Sequence, residues 1–362
     1  NVTKVGFVVG SFNILLSMLP SFSPCRLVII LNSTWYKHSR FIGTEALRHR
    51  GTKFLCAFLF LLASCTKDEF AKEERLLLGT KCSIIVYGKD PKDALDSAFA
   101  EIERMDKLFS SFREDSILSR LNKEGYLKET EETKEVIGLI KKAIFFAEKS
   151  GGCFDPTVGP LMKLWGFRGG DKRLPSEKEI QETRAYIGYK NIVVEKDGIR
   201  LTKGRIDLGG IAKGYATDRA VYILKTKGIK KALVNAGGNI YGFGKTWKIG
   251  IQDPRDKTNL IGYLKIKDKG VASSGDYERF FIIDGKRYSH IMDPRTGYPK
   301  QGVIATTVIA KDATTADGLS TALFVMGKDG LKLCEELSAE AALWDENGKL
   351  YRTRSFSGEL TK

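Results

Sequence analysis

A run of short β-branched and aromatic segments in the second half of the chain restricts the folds that this sequence can adopt. Glycine, asparagine and aspartate, the usual turn residues, separate these segments. They lie between residues 229 and 310 and are Ala232–Val234, Trp247–Ile251, Tyr263–Ile266, Phe280–Ile283 and Val303–Ala310. Because strands joined by short connections pair antiparallel, this run predicts a mostly antiparallel sheet.

Amphipathic segments on both sides of this run predict helices. In the first of them Asp90 is the expected N-cap, Pro91 takes the first helical position, and apolar residues recur at helical spacing up to Phe109. The other predicted helices are residues 131–149, a helix that begins with the capping box of Ser176 and Glu179, and residues 210–227, 313–326 and 328–337. Strand runs flanked by helices favour the α+β class, and we expect a single domain over residues 66–362.

Three shorter patterns predict the remaining strands. Leu76–Tyr87 alternates as one strand does. Asp197-Gly198 lies between two β-branched segments and predicts a hairpin, and a second hairpin is expected to turn at Glu346-Asn347-Gly348.

The cysteines argue against a covalently held fold. The chain has six, of which Cys82, Cys153 and Cys334 lie beyond residue 65, and no two of them form a CxxC pair. This number and spacing exclude a disulfide framework and a cysteine-based zinc site. The fold must therefore be held by its hydrophobic core.

The segment before residue 66 is typical of an export signal. A basic stretch at residues 48–53 precedes the apolar stretch Phe54–Leu62, which is too short to span a bilayer stably. It ends in Leu62-Ala63-Ser64-Cys65, which resembles the lipobox of bacterial lipoproteins. We therefore predict a lipoprotein signal peptide over residues 47–65 with a lipid on Cys65; the alternative is an ordinary signal peptide with a chance cysteine. Either way, the mature protein is expected to work outside the cytoplasm.

Residues 1–46 fit this signal poorly. They do not start with methionine, and their apolar stretch, Val5–Leu19, is followed by Pro20 and Pro24. We expect them to be a non-native or disordered extension that results from an over-extended gene start.

The positive charge of the chain does not indicate a nucleic-acid partner. The formal net charge is +15, and residues 1–65 hold seven Lys or Arg and one Glu, a net of +6. Beyond them, lysine and glutamate are mixed, with no arginine-rich or aromatic-interleaved basic run. We expect no nucleic acid to bind.

Four segments are richer in glycine, aspartate and small polar residues than a core or a surface needs. They are residues 154–161 with 164–167, residues 206–215, residues 272–277 with 288–297, and residues 316–322. In the second segment Gly209-Gly210 precedes a predicted helix, where backbone N–H groups bind anions, and Lys213 adds a charge suited to a phosphate. The Walker A pattern is absent.

Two other segments carry groups suited to a cation and to proton transfer. Asp317 and Thr321 are four residues apart on a predicted helix, so their oxygens share a face and suit a hard cation such as Mg²⁺. His290 is the only histidine after residue 65, and its unperturbed pKa suits proton transfer near neutrality.

Each of these features also has a purely structural interpretation. Asp155-Pro156 is explained equally well as a helix cap, and Gly209-Gly210 as a tight connection. Asp317 with Thr321 is explained as a capping region with a back-bonded threonine, and His290 as a satisfied structural residue. Trp165 and Phe167 are more typical of a core than of a flavin stack.

Taken together and in order, the four segments resemble the FAD:protein FMN transferase (ApbE) family. The motifs that carry the resemblance are FDPTVGPL with LWGF, DLGGIAKGYATD, SHIMDPRTG and ATTADGLSTALFVMG, and it extends from about Leu77 to Ala342. It implies a single α+β domain of the ApbE (T-fold-like) kind over residues 66–362.

The resemblance also implies an FAD site beside an Mg²⁺ site. The implied FAD contacts are Leu78, Phe112, Cys153, Phe154, Asp155, Asp207, Lys213 and Ile291. The implied metal ligands are Asp317, Thr321, Ser320 and a backbone oxygen at Gly210. His290 is the expected base, oriented by Asp293. Leu78 stands where the family usually has methionine, Phe112 where tyrosine is common, and Ser320 where some members place another ligand.

The activity implied is Mg²⁺-dependent transfer of FMN from FAD to a threonine hydroxyl of an acceptor protein, with release of AMP. Two alternatives are an FAD pyrophosphatase that releases FMN and AMP, and a passive FAD-binding lipoprotein. The expected partners are FAD, acceptor flavoprotein subunits of membrane electron-transfer complexes, and the membrane itself through a lipid anchor. The expected location is the periplasmic side of a bacterial membrane.

Overall fold

The computed structural model describes residues 3–9, 12–18 and 69–360. The chain divides into two compact units, residues 1–67 and 68–362. In the first unit, strands β1 (Thr3–Val9) and β2 (Phe12–Met18) pair antiparallel. The rest of the predicted extension and the predicted signal peptide with Cys65 lie outside the described residues, so both stay predictions.

The second unit alternates helices with strands. Its helices are α1 (Pro91–Phe109), α2 (Ile117–Glu124), α3 (Lys134–Lys149), α4 (Gly159–Leu164), α5 (Glu177–Arg184), α6 (Ala212–Thr226), α7 (Ala313–Met326) and α8 (Gly330–Glu336). Its strands are β3 (Glu69–Leu77), β4 (Thr80–Gly88), β5 (Tyr126–Lys128), β6 (Ile192–Glu195), β7 (Gly198–Leu201), β8 (Lys231–Ala236), β9 (Asn239–Phe243), β10 (Trp247–Gln252), β11 (Leu260–Ile266), β12 (Lys269–Gly275), β13 (Phe280–Ile283), β14 (Lys286–Ser289), β15 (Met292–Asp293), β16 (Tyr298–Pro299), β17 (Val303–Ala310), β18 (Glu340–Asp345), β19 (Leu350–Arg352) and β20 (Glu359–Leu360). Within the described residues, no helix is both long and apolar enough to cross a membrane.

An eight-stranded sheet forms the centre of the second unit. Its strand order is β19-β18-β17-β12-β9-β8-β4-β3, and every neighbouring pair is antiparallel. The predicted α+β class with a mostly antiparallel sheet is therefore confirmed. Most predicted helices also form, and residues 313–326 match helix α7 from end to end.

Both faces of this sheet are covered, which explains why the central strand β17 has no solvent-exposed side. Helices α1, α6 and α7 pack on one face, and the three-stranded sheet of β10, β11 and β20 contributes to the cover of the other. In β17 all eight residues are buried, and the successive residues Val308 and Ile309 belong to different apolar clusters. Side chains alternate between the faces of a strand, so this strand contributes to two cores.

The strand predicted over Leu76–Tyr87 is wrong, because the chain reverses inside it. Strands β3 and β4 form a hairpin in which Leu77 is paired with Thr80. Leu78 and Gly79 make the two-residue turn, with φ of 55° and 66°, the left-handed values that such turns require. Leucine continues the apolar pattern and gives no turn signal, so the sequence alone suggested one strand.

Local capping was predicted correctly at one helix and wrongly at another. The capping box of Ser176 and Glu179 forms at the start of α5. Asp90 lies before α1 with φ of 48°, and within residues 69–360 its side chain makes no capping hydrogen bond. Pro91 takes the first turn as expected. Trp165 and Phe167 are 0% and 8% exposed in an apolar cluster, which confirms the core interpretation of both.

Candidate active site

The four segments singled out in the sequence line one cavity of about 1110 Å³. Of the fourteen predicted cofactor, metal and catalytic residues, twelve line it: Leu78, Phe112, Cys153, Phe154, Asp155, Asp207, Gly210, Lys213, His290, Ile291, Asp317 and Thr321. Asp293 and Ser320 are not among the lining residues. A cavity built from segments so distant in sequence is the expected form of a small-molecule site.

Helices α6 and α7 hold the polar end of the cavity. The Thr321 hydroxyl donates to the Gly210 carbonyl at 3.4 Å, and the Gly214 N–H donates to Asp317 Oδ2 at 2.9 Å. Thr321 therefore bonds across to the other segment and not back to its own helix. Asp317 lies inside α7, whose N-cap is Asp312, so the capping interpretation of Asp317 with Thr321 is wrong.

Gly214 allows these two helices to approach closely. A Cβ atom at this position would lie 2.3 Å from the Ala313 carbonyl oxygen and 2.7 Å from Asp317 Cβ. Such contacts are well inside van der Waals distance, so any larger residue must push α7 away from α6.

We expect Gly214→Ala to destabilise the protein by about 1–3 kcal/mol, as overpacking does. Gly138 in α3 is the matched control, because a Cβ there meets nothing within 4 Å. Gly138→Ala should stabilise by up to about 1 kcal/mol through helix propensity. Urea unfolding measures both, and effects of the same sign in the two variants would contradict the close approach at Gly214.

Asp317 is a carboxylate held away from solvent. It is 4% exposed, and burial raises the pKa of its carboxyl, while the Lys213 ammonium, the Gly214 N–H and the Asn239 amide favour the charged form. Lys213 Nζ lies 4.0 Å from Asp317 Oδ1 and donates to the Gly209 carbonyl at 3.0 Å. Asn239 is 2% exposed, and among the described residues its buried Oδ1 has no hydrogen-bond partner.

These oxygens are chemically suited to a hard divalent cation. Asp317 supplies a carboxylate, Thr321 a hydroxyl and Gly210 a carbonyl; all three residues line the cavity, and the hydroxyl bonds to the carbonyl. The described residues contain no group of three or more His, Cys, Asp or Glu side chains arranged so that they could hold a metal ion. A single carboxylate would neutralise only part of the charge of a divalent cation and would leave several coordination positions open. Mg²⁺ beside phosphates is usually bound in this way, by one or two carboxylates together with waters and phosphate oxygens.

The Ser320 hydroxyl bonds inside the protein, and Ser320 is not among the residues that line the cavity. Its hydroxyl donates to the Asp317 carbonyl at 2.9 Å and lies 2.9 Å from Ser274 Oγ. Both contacts are internal to the packing of α7 on β12. In this structure Ser320 is thus not grouped with Gly210, Asp317 and Thr321.

His290 is half-buried in the cavity wall among positive charges. Poor solvation and the charges of Lys213, Arg279 and Arg168 lower its pKa to about 4. Its Nδ1 lies 3.3 Å from the Arg279 carbonyl oxygen, and because a carbonyl only accepts, this nitrogen carries the proton. The imidazole is therefore neutral near pH 7, with Nε2 available as a proton acceptor.

Asp293 does not orient His290 in the described part of the chain, contrary to expectation. Its carboxylate accepts hydrogen bonds from the Arg295 backbone N–H and guanidinium at 2.7–3.0 Å. The Arg295 side chain bonds both carboxylate oxygens. Burial alone would raise the pKa of Asp293, but the hydrogen bonds and charge of Arg295 outweigh it, so this pKa lies below its usual value. Asp293 instead stabilises the turn that follows β15.

Arg168 lines the cavity, although no sequence pattern singles it out. Its guanidinium donates to Asp207 Oδ1 at 2.7 Å and lies 4.4 Å from the centre of the Phe112 ring. Asp207 Oδ1 also accepts from the Gly209 N–H at 2.8 Å. Arg168 follows the apolar LWGF segment without any charge pattern, so only the fold reveals that it reaches Asp207.

The first segment supplies a rigid, mostly buried wall. Asp155 uses both oxygens internally, accepting from the Thr157 N–H and hydroxyl and from the Tyr189 N–H at 2.6–2.8 Å. The helix-cap interpretation of Asp155 is wrong, because helix α4 begins at Gly159 and its N-cap residue is Val158. Burial raises the pKa of the Asp155 carboxyl. Cys153 and Phe154 are 5% and 3% exposed. Leu78, in its left-handed turn, and Ile291 add apolar contacts.

The chain matches the model of the ApbE family over residues 78–344. It belongs to the ApbE family. Its fold is the ApbE fold: the ApbE protein of Thermotoga maritima superimposes with a TM-score of 0.75 at 39% identity, covering 79% of this chain and 98% of that one. The flavin transferase ApbE of Vibrio cholerae gives a TM-score of 0.71 at 30% identity, over 80% and 98% of the two chains.

Curated ApbE relatives agree with these structures. A protein of Treponema pallidum named FAD:protein FMN transferase is 33% identical over 289 residues, 72% of this chain and 79% of its own length. A Vibrio cholerae protein of the same name is 34% identical over 331 residues, 84% and 98% of the two chains. The matched region of the ApbE family model includes every residue that lines the cavity except Glu74.

Proposed function

We propose that this protein transfers FMN from FAD to a threonine hydroxyl of an acceptor protein, depends on Mg²⁺ and releases AMP. The observation that carries the proposal is the single cavity in which hard oxygen donors, three cations and a neutral histidine meet. The name shared by the Treponema pallidum and Vibrio cholerae relatives, FAD:protein FMN transferase, supports the reaction class.

The cations of the cavity suit a dinucleotide with a charged diphosphate. Lys213, Arg279 and Arg168 all line the same cavity as His290, and their charges all lower the pKa of that histidine. The backbone at Gly209-Gly210 leads into helix α6, whose N-terminus favours anions. These groups would hold the diphosphate next to Asp317. Mg²⁺, held by Asp317, Thr321 and the Gly210 carbonyl, would supply charge neutralisation for the diphosphate and for departing AMP.

The transfer step itself needs a proton acceptor and correct alignment. The threonine oxygen forms a bond to the phosphorus on the FMN side, and the bond from that phosphorus to the bridging oxygen breaks, so that AMP leaves. His290 Nε2 accepts the threonine proton, a role that suits an imidazole that is neutral at pH 7. Lys213 and Arg279 limit the build-up of negative charge.

Mass spectrometry of a candidate acceptor tests this proposal. After incubation with the protein, FAD and Mg²⁺, the acceptor should gain the mass of FMN less one water, and one AMP should appear per flavin transferred. Rapid AMP release without acceptor would favour the pyrophosphatase. Bound FAD without AMP, even when acceptor and Mg²⁺ are present, would indicate passive binding.

We also propose that the mature protein is lipid-anchored through Cys65 on the periplasmic side of a bacterial membrane and acts on subunits of membrane electron-transfer complexes. The support is the lipobox-like Leu62-Ala63-Ser64-Cys65. Cys65→Ala should move the protein from the membrane to the soluble fraction and remove label from cells fed a radioactive fatty acid. A membrane-bound, unlabelled wild type would contradict the lipid anchor.

A further inference from the structure

Helix α7 contacts helix α6, and the residues just before α6, at regular intervals along their shared face. The contacts are spaced four residues apart on each chain segment and run in opposite directions, so the two segments are antiparallel. The three contacts are Gly210 with Thr321, Gly214 with Asp317, and Asp218 with Ala313 and Thr314. The first two contacts include the oxygens proposed to hold the metal, whereas the third, at Asp218, supplies no proposed ligand.

Asp218 accepts more hydrogen bonds than either of the other two contacts contains. Its Oδ1 accepts from the Ala313 N–H at 2.8 Å and its Oδ2 from the Thr314 N–H at 2.8 Å. The Thr314 hydroxyl donates to the same Oδ2. A carboxylate that receives two backbone N–H groups at a helix N-terminus is bound through charge as well as hydrogen bonds.

Helix α7 does not need Asp218 in order to begin. Its N-cap residue is Asp312, whose side chain accepts from the Thr315 N–H at 2.6 Å, the usual capping bond. Asp218 belongs to α6 and reaches α7 across the interface. What it adds is therefore a connection between the two helices, not the start of one.

We propose that Asp218 is a positioning residue that fixes the register of α7 against α6, and so sets the spacing of Gly210, Asp317 and Thr321. The inference rests on the proposed metal-dependent function. With Asp218 in place, Asp317 lies at the Gly214 N–H and Thr321 at the Gly210 carbonyl. The close approach at Gly214 limits the distance between the two helices, but it does not by itself fix the position of α7 along α6.

Asp218→Asn tests this, with Asp312→Asn as the matched control. Each substitution removes one negative charge from the same end of α7. Asparagine is as good an N-cap as aspartate, so Asp312→Asn keeps the local cap. Asparagine at position 218 has one acceptor oxygen for two N–H groups and turns an NH₂ group towards one of them, so it breaks the connection between the helices.

The readouts are the dissociation constant for Mg²⁺, measured by calorimetry on the FAD-free protein, and the thermal midpoint in EDTA. Asp218→Asn should weaken Mg²⁺ binding by about 10- to 100-fold, as loss of a group that orients a ligand does. Asp312→Asn should change it less than about twofold. Either substitution can lower the thermal midpoint, so stability does not distinguish Asp218→Asn from Asp312→Asn. The affinity for Mg²⁺ does distinguish them.

Thr314 provides a second test in case Asp218→Asn folds poorly. Thr314→Val removes only the hydroxyl contact and should weaken Mg²⁺ binding by a few-fold, and Thr314→Ser should restore it. Equal Mg²⁺ affinities for Asp218→Asn and wild type, equal losses in Asp218→Asn and Asp312→Asn, or no Mg²⁺ binding by wild type would overturn the inference. If wild type binds Mg²⁺ and Asp218→Asn does not, yet no acceptor gains FMN, the proposed function fails while the inference stands.

Discussion

Asp317→Ala should abolish FMN transfer and the stabilisation of the protein by Mg²⁺ together. Asp317 supplies the only carboxylate among the oxygens proposed to hold the metal, and it is kept in place by the Gly214 N–H. Loss of the metal removes several kcal/mol of charge stabilisation, which corresponds to a rate at least roughly 10³-fold lower. Initial rates of flavin incorporation at saturating FAD, with and without Mg²⁺, measure the effect.

Two companion variants separate the metal from the fold. In the wild type, Mg²⁺ at about 100 times its dissociation constant should stabilise by about 2.7 kcal/mol, and in Asp317→Asn it should add nothing. Because burial raises the pKa of this carboxyl, its ionised form opposes folding at neutral pH, so metal-free Asp317→Asn should melt above metal-free wild type. Ser320→Ala, whose hydroxyl faces Ser274, should keep its response to Mg²⁺. Mg²⁺-dependent turnover by Asp317→Ala would place the metal elsewhere.

His290→Ala should lower the transfer rate by about 10²–10⁴-fold, the usual contribution of a general base, while FAD binding changes little. Single-turnover transfer with FAD in excess measures the first quantity, and flavin fluorescence titration the second. Asp293→Asn is the control, because Asp293 is bonded to Arg295. A fall in rate for Asp293→Asn as large as that for His290→Ala would restore Asp293 to the catalytic group, and unchanged transfer by His290→Ala would remove the base from the mechanism.

The lowered pKa of His290 also predicts a pH dependence. In the free protein the imidazole loses its proton near pH 4, so kcat/KM should rise with pH through that region and be level near neutrality. When FAD is bound, its diphosphate offsets the charges of Lys213 and Arg279, which raises the pKa of His290. The rise of kcat with pH should therefore lie at a higher pH than the rise of kcat/KM. The unfolded chain binds this proton first, near pH 6.5. Stability is therefore lost as the pH falls from 6.5 towards 4, and His290→Ala should lose less.

Those residues whose identity alone suggests a chemical role were largely predictable from the sequence. Glycine pairs, a lone histidine and two oxygens at helical spacing drew attention to Gly210, His290, Asp317 and Thr321, and all four line the cavity. The antiparallel sheet followed equally directly from the strand run between residues 229 and 310, since short connections leave few other pairings.

The direction in which a side chain points, and the residue to which it bonds, were not predictable from the sequence. Ser320 is one residue from Thr321 on α7, yet a turn of about 100° per residue takes its hydroxyl to Ser274. Asp293 is three residues from His290, but Arg295, two residues further on, takes its carboxylate. Arg168 and Asp218 carry no local signal, because their partners Asp207 and Thr314 lie 39 and 96 residues away.

Gly210 and Thr321 are separated by 111 residues, and strands β8, β9, β12 and β17, half of the central sheet, lie between them in sequence. Closing so long a loop is entropically unfavourable until the sheet has assembled. A chain that is still unfolded therefore has no assembled site for the proposed metal. Mg²⁺ binding should appear as one of the last events of folding, and it would make a convenient signal that the molecule is complete.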